Sequence, residues 1–125
     1  MTGIYAIINT PEPVQIPYAT PCPPALAMIR HRCYIGQAKD FERRWNKDHV
    51  PYLRNGLHCC KSLLQAWQRD GRHAQLSRTT SGRMPGRMLG PFEFRVLEEV
   101  PEALLTVTER RYHAANVGGY RGSKR

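Results

Sequence analysis

At 125 residues the chain has the length of one small domain, read as a single unit over 1–125. Hydrophobic residues make up 41% and charged residues 23%, which excludes a chain too polar to collapse; no apolar stretch nears the roughly eighteen residues of a membrane span. Nineteen Lys and Arg against ten Asp and Glu give a net charge of +9, a field that attracts polyanions, a phosphate backbone above all.

In chain order, the β-branched run at residues 3–9 predicts a strand. Six prolines between Thr10 and Pro24 predict a long loop, an insertion over about 10–31. Cys33-Tyr34-Ile35 predicts a second strand, closed by Gly36 and paired antiparallel with the first. Asp40 caps an expected helix through Phe41, Arg44, Trp45 and Asp48, which Pro51 should disturb. A second helix is expected over 58–69, with Leu63, Leu64 and Trp67 inward and Gly71 as its stop. Residues 72–90, rich in Arg, Gly and Ser and free of acids, predict a basic loop. Phe92–Val96 alternates as a half-buried strand, and Pro101 opens a last helix over 102 to about 115. This order predicts a small α/β sandwich: three strands, mainly antiparallel, flanked by three helices, with two long loop insertions.

No basic region precedes an apolar segment at the start, so no secretory signal is read, and a cytoplasmic protein of a bacterial or phage-infected cell is expected. Cys22, Cys33, Cys59 and Cys60 form no C-x-x-C pair; reduced thiols are expected, since structural zinc sites favour spaced pairs.

Two tripeptides stand at the strand ends, Gly3-Ile4-Tyr5 and Tyr34-Ile35-Gly36, followed by Lys39-Asp40-Phe41-Glu42-Arg43-Arg44-Trp45. With Gly56-Leu57-His58, Val96-Leu97-Glu98-Glu99 and Glu109-Arg110-Arg111-Tyr112, the ordered set resembles the GIY-YIG nuclease family, closest to the catalytic domains of phage-type homing endonucleases. The resemblance implies a GIY-YIG-type sandwich and a metal-dependent endonuclease that hydrolyses DNA phosphodiesters. It implies that Tyr5 and Tyr34 orient the attacking water, that Arg44 grips the phosphate, and that Glu109 holds one Mg²⁺ or Mn²⁺. His58 matches a family histidine. His49 matches another only with one extra residue after Arg44.

The residues support this chemistry on their own terms. Phosphodiester hydrolysis needs an oriented water, a cation on the phosphoryl oxygens and stabilisation of the leaving oxygen. A phenol becomes a useful base only when nearby cations lower its pKa, and this chain is rich in cations. The alternative reading of both tyrosines is a core role with hydrogen-bonded hydroxyls. Arg44 sits at the margin of a helix whose Phe41 and Trp45 point inward, placed for bidentate phosphate binding. Glu109 lies on a largely buried stripe with Leu105 and Tyr112, where a carboxylate needs a partner: a metal, or else Arg110 or a lysine. His58 is open to proton transfer or phosphate binding. In a regular helix five residues turn His49 about 140° away from Arg44. Either a bulge near Pro51 restores the geometry, or Asp48 takes the place, or the function has moved.

Lys39, Arg78, Arg83, Arg87 and Arg121 complete the expected nucleic-acid contacts. The family places an asparagine after a tyrosine near the domain end; here Arg121 follows Tyr120, with Asn116 at another spacing, so either Arg121 substitutes as a phosphate ligand or the enzyme is weaker. No separate DNA-reading domain is expected in 1–125, so sequence specificity is either low or supplied by the insertions, by a homodimer on DNA or by a partner. The competing reading is a non-catalytic basic nucleic-acid-binding module derived from such a nuclease.

Overall fold

The computed structural model describes residues 2–71 and 87–121. Its centre is a four-stranded antiparallel sheet of order β2-β1-β4-β3, built from β1 (Gly3–Pro13), β2 (His31–Ala38), β3 (Arg87–Leu89) and β4 (Phe92–Glu99). Strand β1 is uninterruptedly buried from Gly3 to Asn9 because helices cover both faces of the sheet. One face carries Tyr5, Ile7, Phe92 and Phe94 against Phe41, Trp45, Leu53 and Leu63. The other carries Ile4, Ala6, Ile8 and Ile35 against Leu26, Leu105 and Tyr112. The α/β class and the three principal antiparallel strands agree with the sequence reading.

The helical elements are α1 (Pro24–Ala27), α2 (Phe41–Arg43), α3 (Val50–Asn55), α4 (Lys61–Ala66) and α5 (Leu105–Ala115), the last entered through a 3-10 turn at Glu102–Leu104. Asp40 caps α2 by accepting from the Arg43 N–H. Between α2 and α3 the helix continues as a π-helix over Arg44–His49, in which the Val50 N–H donates to the Trp45 carbonyl. The expected disturbance at Pro51 thus takes the form of a wider turn ahead of it. A proline ring collides with the carbonyl four residues back in a regular helix, and a wider turn ahead of it gives that carbonyl room.

Four expectations need correction. The first insertion is not a plain loop: β1 runs on to Pro13, α1 buries Leu26, and Ala19 donates to the Ala115 carbonyl. The second helix begins at Lys61 and not at residue 58, because Cys60 occupies the extended position before it; a π-helix over Trp67–Gly71 extends its end. Of the expected loop over 72–90, residues Arg87–Leu89 form β3, joined to β4 by a turn at Gly90, whose φ is 57°, and 72–86 lie outside the described residues. Strand β4 reaches Glu99 and bulges at Leu97, since Ile4 pairs with Glu98 while Tyr5 pairs with Val96. Among the described residues no helix is long and apolar enough to cross a membrane.

Candidate active site

The pairing of β1 with β2 sets Tyr5 opposite Gly36 and Ile7 opposite Tyr34, so both tyrosines project from one face. Their ring centroids lie 6.5 Å apart. Tyr5 is wholly buried, whereas Tyr34 is half-buried. Glycine is required at both tripeptides by close approach. A Cβ on Gly3 would lie 2.8 Å from the Phe41 ring and closer still to the Glu98 carbonyl, and one on Gly36 would strike the Tyr5 hydroxyl.

The π-helix settles the spacing of Arg44 and His49. Closing the turn between residues five apart returns His49 to the side that Arg44 occupies. Both then reach Tyr5: the Tyr5 hydroxyl lies 2.5 Å from His49 Nε2, and Arg44 Nε donates to it at 3.4 Å. Asp48 does not take the place of His49; it accepts from Arg44 Nη1 at 3.0 Å. Behind His49, its Nδ1 lies 2.7 Å from His58 Nε2, and His58 Nδ1 accepts from the Cys60 N–H at 3.0 Å. Both histidines are buried with both ring nitrogens engaged, so His58 is not placed to bind phosphate.

Glu109 approaches from α5, on the opposite layer, at the β2 edge. Its partners are neither Arg110 nor a lysine. Gln37 Nε2 donates to one carboxylate oxygen at 2.5 Å and His113 Nε2 meets the other at 3.1 Å. The carboxylate acts electrostatically on both Tyr5 and Tyr34, and Arg44 acts on it. Tyr5, Tyr34 and Arg44 therefore lie together on one face, and Glu109, held on the opposite layer, is linked to them through electrostatics. An open cleft of about 460 Å³ is lined by Arg44, together with Gln37, Lys39, Arg43 and Asp48 among others.

The titration of these groups follows from burial. Burial, with Tyr34 adding to it, pushes the Tyr5 phenol well above its ordinary range, and Arg44 offsets only part of this. Tyr34 is pushed up to about 12, again mainly by burial. The expectation that cations lower the phenols is thus corrected: desolvation outweighs Arg44, and both phenols are neutral at pH 7. Burial and the Arg44 charge push His58 down to about 4; burial, His58 and Arg44 hold His49 well below its usual value. Burial alone would raise Glu109, but His113, Gln37 and Arg44 together keep its carboxyl below the usual range.

The remaining expected contacts are spread more widely. Lys39 is exposed and paired with Glu102 at 2.9 Å. Arg87 contributes its backbone to β3, while Arg78 and Arg83 lie outside the described residues. Arg121 is exposed, and its guanidinium donates to the His113 carbonyl at 2.9 Å. Asn116 is buried and pins β2 by donating to the Cys33 carbonyl. Gln37 and His113 were not singled out from the sequence. His113 stands four residues after Glu109 on one helix face, a spacing that could have found it; Gln37, alternating with Tyr34 along β2, gave no such signal.

A divalent ion of the Mg²⁺ type accepts a single protein carboxylate, with waters and phosphate completing its shell. Glu109 fits that role: it is ionised, oriented through both oxygens, and each oxygen keeps acceptor capacity. Among the described residues no group of three or more His, Cys, Asp and Glu could hold a metal, so a caged structural ion has no donor set there. Compared with family models, curated proteins and solved structures, the chain matches none.

Proposed function

We propose that this chain is a divalent-metal-dependent endonuclease that hydrolyses DNA phosphodiester bonds, of the GIY-YIG type and homing-endonuclease-like. The observation that carries the reading is that Tyr5, Tyr34 and Arg44, from three different elements, lie together beside an open cleft that Arg44 lines, with Glu109 of a fourth element in electrostatic reach, in a chain of net charge +9. A decayed binding module has no need of an ionised acid held in place among basic side chains.

The chain's residues divide the work. Arg44 spends one N–H on Tyr5 and one on Asp48, leaving three of its five donors for phosphoryl oxygens. Its charge stabilises the extra negative charge of the transition state. The two neutral phenols orient the attacking water by hydrogen bonding, and Tyr34, the less buried, is the one presented to solvent. No phenolate is required. Glu109, steadied by Gln37 and His113, would hold the divalent ion, which when bound supplies charge neutralisation and an acidified water.

The test is nicking of supercoiled plasmid by the full chain with Mg²⁺ or Mn²⁺ and with EDTA. The reading expects metal-dependent nicking that chelation abolishes. Tight duplex binding without nicking in either metal would instead establish the basic binding module.

A further inference from the structure

Four groups in the buried part of the site fix one another's protons. A backbone N–H can only donate, so the Cys60 amide makes His58 Nδ1 an acceptor. The proton of the neutral His58 ring is then on Nε2, aimed at His49 Nδ1. His49 Nδ1, being an acceptor, leaves the His49 proton on Nε2, aimed at the Tyr5 oxygen. The opposite direction fails. If Tyr5 donated to His49 Nε2, then His49 Nδ1–H would donate to His58 Nε2, and His58 would carry no proton on either nitrogen. Such an imidazolate has no place beside an ordinary amide. Arg44 Nε–H adds a second donor to the same phenol oxygen.

From this geometry we infer that His58 and His49 are positioning residues forming a one-way hydrogen-bond chain, which makes Tyr5 an acceptor toward the protein and turns its hydroxyl proton away from both histidines. Tyr5, itself wholly buried, thereby keeps its hydroxyl proton free to donate on the side where Arg44, which lines the cleft, contacts it, so that a water or phosphoryl oxygen reaching that side meets a donor. The charged and titratable groups acting on the chain are Arg44, Tyr34, Cys60 and, on Tyr5, Glu109; Arg44 and the burial of both rings keep the histidines neutral. The direction of the chain stands on hydrogen bonding alone, and its consequence for cleavage rests on the nuclease reading.

The direct test is the ring ¹⁵N spectrum of the substrate-free, wild-type protein at pH 7. Both histidines should be neutral, protonated on Nε2 and bare at Nδ1. A charged ring, or a proton on either Nδ1, overturns the inference whether or not the protein cleaves DNA. Conversely, the expected tautomers in a protein that never nicks DNA leave the chain standing and remove the nuclease reading. In the cleavage assay His58→Phe, which keeps the ring but donates nothing, should lower kcat about 10–100-fold with KM nearly unchanged, as outer-shell orienting partners do. His58→Gln, which restores a donor near the Nε2 position, should recover most of that loss. Equal activity of wild type and His58→Phe, or a Gln variant no better than Phe in two folded proteins, counts against it.

Discussion

The Tyr5 ring lies across Gly36, so close that a methyl group on that glycine would come within 2.4 Å of the phenol oxygen. The second tripeptide therefore serves the first: its glycine is the floor on which the buried tyrosine rests, and the strand register delivers it there.

Gly36→Ala should displace the Tyr5 hydroxyl from His49 and Arg44. Overpacking of a filled core costs about 1–3 kcal/mol, and a misplacement near 1 Å in a catalytic group can cost about 100-fold in rate. Thermal unfolding and plasmid nicking measured together should show a lower melting temperature and a cleavage loss of that order, with DNA affinity retained. Unchanged cleavage would mean that the placement of Tyr5 is immaterial.

The π-helix over Arg44–His49 holds one residue more than an α-helical turn would. Deleting the exposed Lys47 should let the segment relax to a regular helix in which Arg44 and His49 are four apart and still on one side. The variant should fold, with far-ultraviolet dichroism close to wild type, and should keep measurable nicking. Loss of the fold would show that the wide turn is itself needed ahead of Pro51.

Stability should fall on mild acidification. His58, at about 4 in the folded protein, and His49, well below 6.5, are neutral when folded and take up protons on unfolding. The unfolded state binds more protons between about 4 and the unperturbed 6.5, so stability rises with pH through that window and is lost as pH falls through it. Urea midpoints between pH 7 and 4.5 should decline for wild type and decline less for His49→Phe or His58→Phe. Parallel profiles would remove the histidines from the account.

Gln37 orients Glu109 through one hydrogen bond from the far face of β2. Gln37→Met should leave the fold intact but raise the Mg²⁺ concentration for half-maximal nicking about 10–100-fold, the usual cost of losing an orienting partner. An unchanged metal requirement would leave Gln37 with no part in holding the acid.

How much of this was legible in the sequence depended on how local the cause was. The β1 run, the Asp40 cap and the inward Phe41 and Trp45 follow from patterning, and the structure has them. The place of Arg44 at a helix margin was legible for the same reason. The π turn was not, because an i→i+5 closure has no compositional mark; only the odd spacing of Arg44 and His49 hinted at it. The phenol pKa direction was misjudged because charge can be counted in a sequence and burial cannot: Tyr5 lies under more protein than Arg44 can offset. Gln37 was invisible because its partner is 72 residues away. The edge strand β3 was missed because three residues are too few to show alternation.

The measurement that bears most directly on the proposed joint action of Arg44 and Glu109 is a cleavage cycle on one duplex substrate with wild type, Arg44→Ala, Glu109→Gln and the double variant, in Mg²⁺. Groups acting as one unit are strongly non-additive. Each single variant should lose about 100-fold or more, as removal of a charge-stabilising donor does, and the double variant should be scarcely worse than either. Losses that multiply, a single variant as active as wild type, or a wild type that cuts nothing would contradict a joint role for these two side chains in hydrolysis.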